Sequence, residues 1–266
     1  MEKVALVAKY AQTEEDKLVL SRVLDRIWQG STRQIPVATE FLTARERILS
    51  EQMLQAADMG TACFFGGCEE AERTVCCYIP DYLDARQYLE EDEDGPVCLI
   101  RADFRTERPL SHRDFLGSLM GCGIRRETVG DIYVDQQSCD FFVLRKIVPY
   151  LLQNLTEAGR TKLHLEPRPI TELRRPPVLL EQLRQTVSSL RLDAVAAAGF
   201  HLSRGRAAEL IEHGKAVVNH MACEKPDHAV TQGDVISIRG LGKLRLELVG
   251  GQTKKGRISI EIAKYV

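Results

Sequence analysis

Basic and amide side chains recur at short intervals in the last third of the chain. The candidate phosphate-binding residues are Arg191, Ser203, Arg204, Arg206, Lys215, Asn219, His220, Lys225, Arg239, Lys243, Lys254 and Lys255. Arginine presents planar, paired donors that phosphates and base edges accept well. A helix that begins at Ser203 would add free backbone N–H groups, which suit a phosphate. These residues therefore predict a nucleic-acid-binding surface.

Two short helices and the strands after them must position these groups. The apolar stripes of the two helices are Leu192, Val195 and Ala196 in the first, and Ala207, Leu210 and Ile211 in the second. Gly199 and Gly214 can end them, and Ser203 is a natural N-cap. Burial of both stripes against the strands would leave Arg191, Arg204, Arg206 and Lys215 outside and near one another. Later, Leu244–Val249 and Ile258–Ile262 predict a β-hairpin with Lys254 and Lys255 at its tip.

The stretch 191–239 resembles the S4 domain, a small RNA-binding module. The matching positions are Arg191-Leu192-Asp193, Gly199, Ser203-Arg204, Ala208, Leu210-Ile211, Gly214, Val218-Asn219, Lys225-Pro226, Gly233-Asp234 and Ile236. Many S4 domains have Asn-Gly where this chain has Asn219-His220. A type I′ turn there requires a positive φ at His220. Alternatively, His220 is a contact residue that stacks on an unpaired base.

The middle of the chain predicts a ferredoxin-like, RRM-like βαββαβ domain. Its strands are 97–104, 132–134, 139–144 and 163–167, and its helices are 111–121 and about 146–158, with Pro149 in the first turn. Phe141 and Phe142 point to opposite faces of a strand, which favours core packing for both. Possible secondary RNA contacts are Arg113, Arg125 and Arg126, together with Arg174 and Arg175 in a surface linker rich in proline that begins at Pro167.

The N-terminal region predicts a small acidic α/β domain. Residues 1–95 hold 10 Lys and Arg against 19 Asp and Glu, although the whole chain has a net charge of only −2. Capping boxes at Thr13/Asp16 and Thr43/Glu46 begin helices that run to about Gly30 and Ala57. The first has Trp28 in its apolar stripe, and Gly60 is the expected stop of the second. Two short strands follow, then a helical piece that opens at Pro80. The predicted α+β fold has three domains: 1–94, RRM-like 95–178 including the linker, and S4 179–266 with its hairpin.

The middle domain extends the resemblance. Its motif residues are Ser111–Leu119, Gly123–Glu127 and Gly130–Ile132, and Thr186–Asp193 leads into S4. These segments are similar to those of YlmH-type proteins, a bacterial, cytoplasmic, ribosome-associated family. The resemblance implies binding to rRNA of the large ribosomal subunit, a link to rescue of tRNA-obstructed subunits and to ribosome quality control, and tRNA as a further partner. The family was first associated with cell division.

Enzyme signatures do not accompany the S4-like stretch. The chain has no G-x-G-x-x-G after a strand and no Walker A lysine loop. His112-Arg113-Asp114 is better explained by a capping box than by a kinase loop. Two alternatives remain open: an RNA-modifying enzyme with an S4 targeting domain, or a cell-division-linked scaffold whose acidic head binds protein.

The sequence predicts a protein without a metal site, a cofactor or a membrane span. Cys63, Cys68, Cys76 and Cys77 lack the two C-x₂-C knuckles of a zinc ribbon, so we expect strand cysteines, no metal and no cofactor. We expect no membrane span, no signal peptide and a cytoplasmic monomer with reduced thiols.

Overall fold

The computed structural model describes residues 3–266 and divides the chain into two compact units, one ending at Pro176 and the other beginning at Pro177. Helices and strands contribute in similar measure, which confirms the predicted α+β class. Residues 1 and 2, at the start of the predicted first domain, lie outside the described part. The three-domain division at 94/95 and 178/179 stays a prediction.

The N-terminal part of the first unit is a helical head with a small sheet. Its helices are α1 (Lys3–Tyr10), α2 (Glu14–Arg33), α3 (Ala44–Ala56) and α4 (Ala85–Glu90), and its strands are β1 (Val37–Ala38), β2 (Cys63–Phe65) and β3 (Val75–Tyr78). The strands pair antiparallel in the order β1-β3-β2. Both predicted capping boxes are present, at Thr13 and Thr43, so local sequence determines where α2 and α3 begin.

Three details of the head differ from the prediction. Trp28 was assigned to the apolar stripe of α2, yet 63% of its surface is exposed, because the stripe that packs inward ends at Ile27 and Gly30. Helix α3 ends at Ala57, and Asp58 rather than Gly60 takes the left-handed conformation, with φ 58°. Helix α4 begins after Asp84, whose side chain caps it, and not at Pro80.

A five-stranded antiparallel sheet forms the middle of the first unit. Its strands are β4 (Val97–Phe104), β5 (Val129–Val134), β6 (Ser138–Leu144), β7 (Glu157–Ala158) and β8 (Thr161–Arg168), in the order β5-β6-β4-β8-β7. Helices α5 (His112–Gly121) and α6 (Val148–Asn154) follow β4 and β6. Without the short β7, this is the predicted ferredoxin-like order. Phe115, Leu119 and Leu151 of the helices share one buried core with Phe141 of the sheet.

The last part of this domain corrects two sequence assignments. Helix α6 is shorter than the predicted 146–158, because Arg145–Ile147 form a 3₁₀ turn and Glu157–Ala158 form β7. Pro149 does lie in the first turn of α6, where its missing N–H costs nothing. Pro167 and Arg168, assigned to the linker, belong to β8 and lie opposite Ile100 and Leu99. The linker therefore begins at Pro169.

The second unit packs two helices on a six-stranded antiparallel sheet. Its elements are β9 (Leu180–Val187), α7 (Leu192–Gly199), α8 (Arg204–Glu212), β10 (Ala216–Val218), β11 (Met221–Ala222), β12 (Val235–Ile238), β13 (Gly242–Gln252) and β14 (Ile258–Tyr265), with the sheet order β11-β10-β12-β13-β14-β9. All six residues of the predicted stripes on α7 and α8 are buried. The predicted hairpin forms from β13 and β14.

Gly199 is the last residue of α7, as predicted, and it also has a packing role. A Cβ at this position would lie 2.4 Å from Leu244 Cδ2, so glycine lets α7 approach the sheet closely. His201, two residues later, takes the left-handed conformation with φ 54°. Gly214 does end α8 as predicted, with φ 68°.

Candidate RNA interface

Asp193 organises the basic residues at the start of the S4-like helices. Its side chain is only 6% exposed, and it accepts hydrogen bonds from two arginines. Arg191 donates from Nε (3.2 Å) and Nη2 (3.1 Å), and Arg204 donates from Nε (3.1 Å) and Nη2 (3.3 Å). Each guanidinium is thereby held by its edge, and the remaining Nη1 group can donate outward. The side chains of Arg191 and Arg204 are 41% and 49% exposed.

The protonation state of Asp193 follows from this arrangement. Burial alone would raise the pKa of the carboxyl, but the hydrogen bonds and positive charges of Arg191 and Arg204 outweigh burial and lower it. The carboxylate therefore stays ionised at neutral pH and holds both arginines. Sequence reasoning included Asp193 only as a matching position. One sequence feature could have predicted its role: Asp193 is an acid two residues after Arg191, at the start of a helix.

The N-terminus of α8 lies beside this pair. Ser203 caps the helix as predicted, and its Oγ accepts from the backbone N–H of Arg206 at 3.2 Å. The first N–H groups of a helix lack intrahelical partners and carry its positive dipole end, so they favour an anion. Arg206 is exposed and donates to Glu209 at 2.6 Å. The structure thus brings Arg191, Ser203, Arg204 and Arg206 together.

A loop brings Lys225 to the same place. The backbone N–H of Asp193 donates to the carbonyl of Pro226 at 3.0 Å, and that of Leu192 donates to His228 at 2.8 Å. Arg191 also forms a β-bridge with Ala229. Lys225 precedes Pro226 and is exposed. We name Arg191, Arg204, Arg206 and Lys225 the Asp193 cluster.

Lys215 and Arg239 form a separate pair. The backbone N–H of Arg239 donates to the carbonyl of Lys215 at 2.9 Å, and both residues are exposed. Lys215 follows the end of α8, and the helix from Arg204 to Glu212 spans about 12 Å along its axis. The prediction that Lys215 lies near Arg191, Arg204 and Arg206 is therefore wrong. It lies at the other end of α8.

The remaining lysines lie at opposite ends of the hairpin. Lys243 is at the start of β13, with its Nζ 4.5 Å from the ring centroid of Tyr265, so it already has a partner. Lys254 and Lys255 occupy the exposed tip between β13 and β14, roughly 30 Å farther along the strand. The basic tip is thus present as predicted but remote from Lys243.

The Asn219-His220 turn has the conformation anticipated for a type I′ hairpin. Both residues have positive φ, 47° and 67°. The side chain of Asn219 is occupied: its Nδ2 donates to Asp234 at 2.8 Å, and its Oδ1 accepts from the Val235 N–H at 2.9 Å. Asn219 therefore fixes the turn against β12. His220 is exposed, and its contact with RNA stays a prediction.

The sheet face that RNA recognition motifs use for stacking bases is covered in this protein. On the side away from α5 and α6, Leu99 and Phe142 are fully buried against Phe41 and Val75 of the head. At Gly67 in the head, a Cβ would lie 2.2 Å from the ring of Phe142. As predicted, Phe141 and Phe142 both pack in cores, one on each side of the sheet. Neither ring can stack on a base in this structure.

The possible secondary contacts have different environments. Arg113 is exposed on α5, and Arg174 is exposed in the linker, where its backbone N–H donates to Asp140 at 2.8 Å. Arg125 is 60% exposed and pairs with Glu40 and Glu127. Arg175 was expected to be free for phosphate. It instead pairs with Glu70 at 3.2 Å and lies 5.3 Å from the centroid of the Tyr133 ring.

Arg126 turns inward, toward the backbone of its own domain. Its Nη1 donates to the carbonyls of Val129 at 2.6 Å and Gly130 at 3.3 Å. Burial, reinforced by the positive charge of Arg73, lowers its pKa to about 10. Arg126 therefore remains charged at neutral pH in a half-buried position.

The four candidate cysteines lie in or beside the head sheet. Cys76 and Cys77 are fully buried, Cys63 lies opposite Cys77 in the strand register, and Cys68 Sγ is 3.4 Å from the Tyr133 hydroxyl. Within residues 3–266, no group of three or more His, Cys, Asp and Glu side chains is arranged to hold a metal ion. Over the same residues, no helix has the length and apolarity needed to cross a bilayer.

Two family models match separate segments of the chain, one in the middle and one near the C-terminus. The model described as "Putative RNA-binding domain in YlmH" matches residues 98–172, and the S4 domain model matches residues 190–236. The ribosome-associated protein quality control protein P2 of Bacillus subtilis (strain 168) is 34% identical over 220 residues, which cover 82% of this chain and 83% of that protein. This chain belongs to the YlmH-type family of S4-domain proteins. Family membership confirms the predicted YlmH-type middle domain and C-terminal S4 domain.

One solved structure of a YlmH-type protein is also similar. The cell division protein ylmH from Streptococcus pneumoniae is 20% identical, covers 61% of this chain and 96% of its own, and superimposes with a TM-score of 0.49. A likeness of that size supports no conclusion about function.

Proposed function

We propose that this YlmH-type protein binds rRNA of the large ribosomal subunit through its S4 domain and acts on tRNA-obstructed large subunits in ribosome rescue and quality control. The name of the B. subtilis relative, a ribosome-associated quality control protein, supports the process. The two RNA-binding domain models support the ligand class. The protein acts as a monomer in the cytoplasm, where ribosomes are, and contacts tRNA on the obstructed subunit.

The Asp193 cluster carries this proposal. Two arginines locked by one buried carboxylate present fixed donors beside the N-terminus of α8. A pre-positioned guanidinium loses little conformational freedom when it binds a phosphate, so its hydrogen bonds contribute more to affinity. Lys225 adds a further positive charge at the same place. This arrangement matches the geometry of a folded RNA backbone better than a scatter of mobile surface lysines would.

The same groups favour binding over catalysis. The side chains that Asp193 gathers are arginines, which carry a permanent charge and act as hydrogen-bond donors only. They can hold a phosphate or a base edge, but they supply neither a nucleophile nor a general base at neutral pH. We therefore propose an RNA-binding factor rather than an RNA-modifying enzyme.

Co-sedimentation with separated ribosomal subunits tests this function. The full-length protein should pellet with large subunits, more strongly when they carry tRNA, and much less with small subunits. Arg191→Ala/Arg204→Ala should abolish pelleting. As a matched control, Arg184→Ala/Lys264→Ala removes two cations from β9 and β14 of the same unit and should leave pelleting unchanged. Equal pelleting with both subunits, or full pelleting of the Arg191/Arg204 variant, would reject the proposal.

A further inference from the structure

A groove of about 800 Å³ lies within the first unit, between helix α2 and the middle domain. Helix α2 contributes Arg22 and Arg26 to its wall, and the head also contributes Arg73. The middle domain contributes Arg125, Arg126 and Lys146. Six cationic side chains therefore line one groove together with four glutamates, Glu15, Glu40, Glu46 and Glu127, so cations are in excess although the head is acidic overall.

Four of these cations form no ion pair within residues 3–266. Arg125 and Lys146 both pair with Glu40. By contrast, none of Arg22, Arg26, Arg73 and Arg126 lies within the 4.0 Å ion-pair distance of a carboxylate in residues 3–266. The Nε of Arg26 donates to the carbonyl of Ala38 at 3.1 Å, which fixes the side chain without pairing it with a carboxylate.

The base of the groove holds two of these arginines against one carbonyl. Arg73 donates from Nε to Val129 O at 3.0 Å, and Arg126 donates from Nη1 to the same oxygen at 2.6 Å. Arg73 also donates from Nη2 to Phe41 O at 3.3 Å. Burial lowers the pKa of each guanidinium, and mutual repulsion lowers that of Arg126 further. Two like charges held together in a half-buried position favour the arrival of an anion.

We propose that this groove binds the phosphates of a single-stranded RNA segment. The proposal rests on the proposed RNA-binding function and adds a second contact site, remote in sequence from the S4 domain. The middle domain matches an RNA-binding domain model, yet the face on which such domains stack bases is buried under the head. RNA bound by this domain must therefore use another surface. The groove is the surface where Arg126 of this domain lies beside Arg73 of the head, on the same carbonyl oxygen.

The shape of the groove suits a short single strand. Its volume lies within the range of ~300–1,000 Å³ that is typical of small-ligand pockets, which admits a few nucleotides and excludes a duplex. Leu18 of α2 lines the same wall and is 60% exposed, so it offers an apolar surface to an unstacked base. The arginines provide paired donors for the phosphates on either side.

Binding of a fluorescent 12-nucleotide oligouridine by the full-length protein tests this site. The Arg191→Ala/Arg204→Ala protein serves as background, so that the groove is measured without the Asp193 cluster. In that background, Arg22→Ala/Arg26→Ala should weaken binding on the order of tenfold and lower the log–log salt slope by about 1.4, at about 0.7 per lost phosphate contact. Both residues are exposed, so their removal leaves the core unchanged.

A control with the same change in charge separates site binding from general attraction. Arg33→Ala/Arg86→Ala removes two exposed arginines of the head that do not line the groove, and it should leave affinity and slope unchanged. Equal effects of the two pairs would overturn the proposal. So would tighter groove-dependent binding of a polyglutamate peptide than of RNA, since that result assigns the groove to an acidic protein. Ribosome pelleting that needs Arg191 and Arg204 but not Arg22 and Arg26 would retain the S4 proposal and reject the groove.

Discussion

The Nε atom of Arg204 lies 3.1 Å from a carboxylate oxygen of Asp193, eleven residues earlier in the chain. This contact joins the first turn of α8 to the first turn of α7, and Arg191 completes it from the other side. A buried acid at the centre of a basic surface therefore orders the cations without neutralising their outer donors. We therefore expect RNA binding to depend on this positioning as much as on net charge.

Replacing Asp193 separates the effect of orienting the two arginines from the effect of the net charge of the surface. Asp193→Asn makes the surface more positive, so long-range attraction to RNA should increase. We nevertheless expect affinity to fall on the order of tenfold, because the arginines lose the partner that orients them. Filter binding of an rRNA fragment measures the affinity. The exposed Asp227→Asn, in the neighbouring loop, is the control, and tighter binding by both variants would show that charge alone decides.

The acidic head should lose stability at low pH through Asp16. Its hydrogen bonds with Arg45 are the largest cause of a pKa lowered from 3.8 to about 2. Because the pKa of Asp16 is lower in the folded protein than in the unfolded chain, its contribution to the free energy of unfolding is complete above about pH 4. That contribution is lost as the pH falls through about 2. It amounts to about 2 kcal/mol at pH 7.

Asp16→Asn should therefore lower the free energy of unfolding by about 2 kcal/mol at pH 7, and the difference from wild type should fall to a few tenths of a kcal/mol near pH 2. Urea denaturation at a series of pH values measures this difference. Glu14→Gln, an exposed change in the same helical turn, should have little effect. A difference that stays constant from pH 7 to pH 2 would contradict the linkage.

A buried ion pair in the middle sheet should be expensive to break. Arg101 and Asp140 lie opposite each other in neighbouring strands, joined by hydrogen bonds of 2.8 and 2.7 Å, and each side chain is at most 3% exposed. Asp140→Asn removes the buried carboxylate and leaves Arg101 only the longer, 3.8 Å ion pair with Glu172, so it should cost about 3 kcal/mol in urea denaturation. Asp135→Asn, on the exposed turn before β6, should change stability by less than about 0.5 kcal/mol. Equal effects would exclude a structural role for the pair.

A substitution in the Asn219-His220 turn should raise the stability of the protein, not lower it. His220 has a φ of 67°, which glycine adopts at no steric cost, so His220→Gly should stabilise the protein by about 0.5–1 kcal/mol. Thermal unfolding should show a raised midpoint. His228→Gly removes the same side chain where φ is not positive and should lower the midpoint slightly. A lower midpoint for His220→Gly would mean that the imidazole makes stabilising contacts that exceed the backbone strain.

Local sequence rules predicted the parts of this fold whose cause is local. Thr13, Thr43 and Ser203 begin helices because each has the short polar side chain that a cap needs. The apolar stripes of α7 and α8 predicted their buried faces. Strand β9 was missed because LEQLRQTV lacks an apolar alternation, and it forms only through its pairing with β14.

Long-range contacts account for the errors in the site. Arg191 and Arg204 were predicted together and lie together because both reach Asp193, whereas Lys215 was grouped with them only because it lies off the apolar faces of the two helices. The groove arginines Arg22, Arg73 and Arg126 come from segments far apart in the chain, and only the packing of the head on the sheet brings them together. The net negative charge of the head gives no indication that these arginines lie together.

The salt dependence of rRNA binding tests the central claim most directly. The S4 site offers five basic groups around α8, namely Arg191, Arg204, Arg206, Lys215 and Lys225. With one phosphate each, these groups should contribute about −3.5 to the log–log slope of the full-length protein on single-stranded RNA. Arg191→Ala/Arg204→Ala should lower the magnitude of the slope by about 1.4. A flat response, or the same slope for both proteins, would contradict RNA binding through the Asp193 cluster.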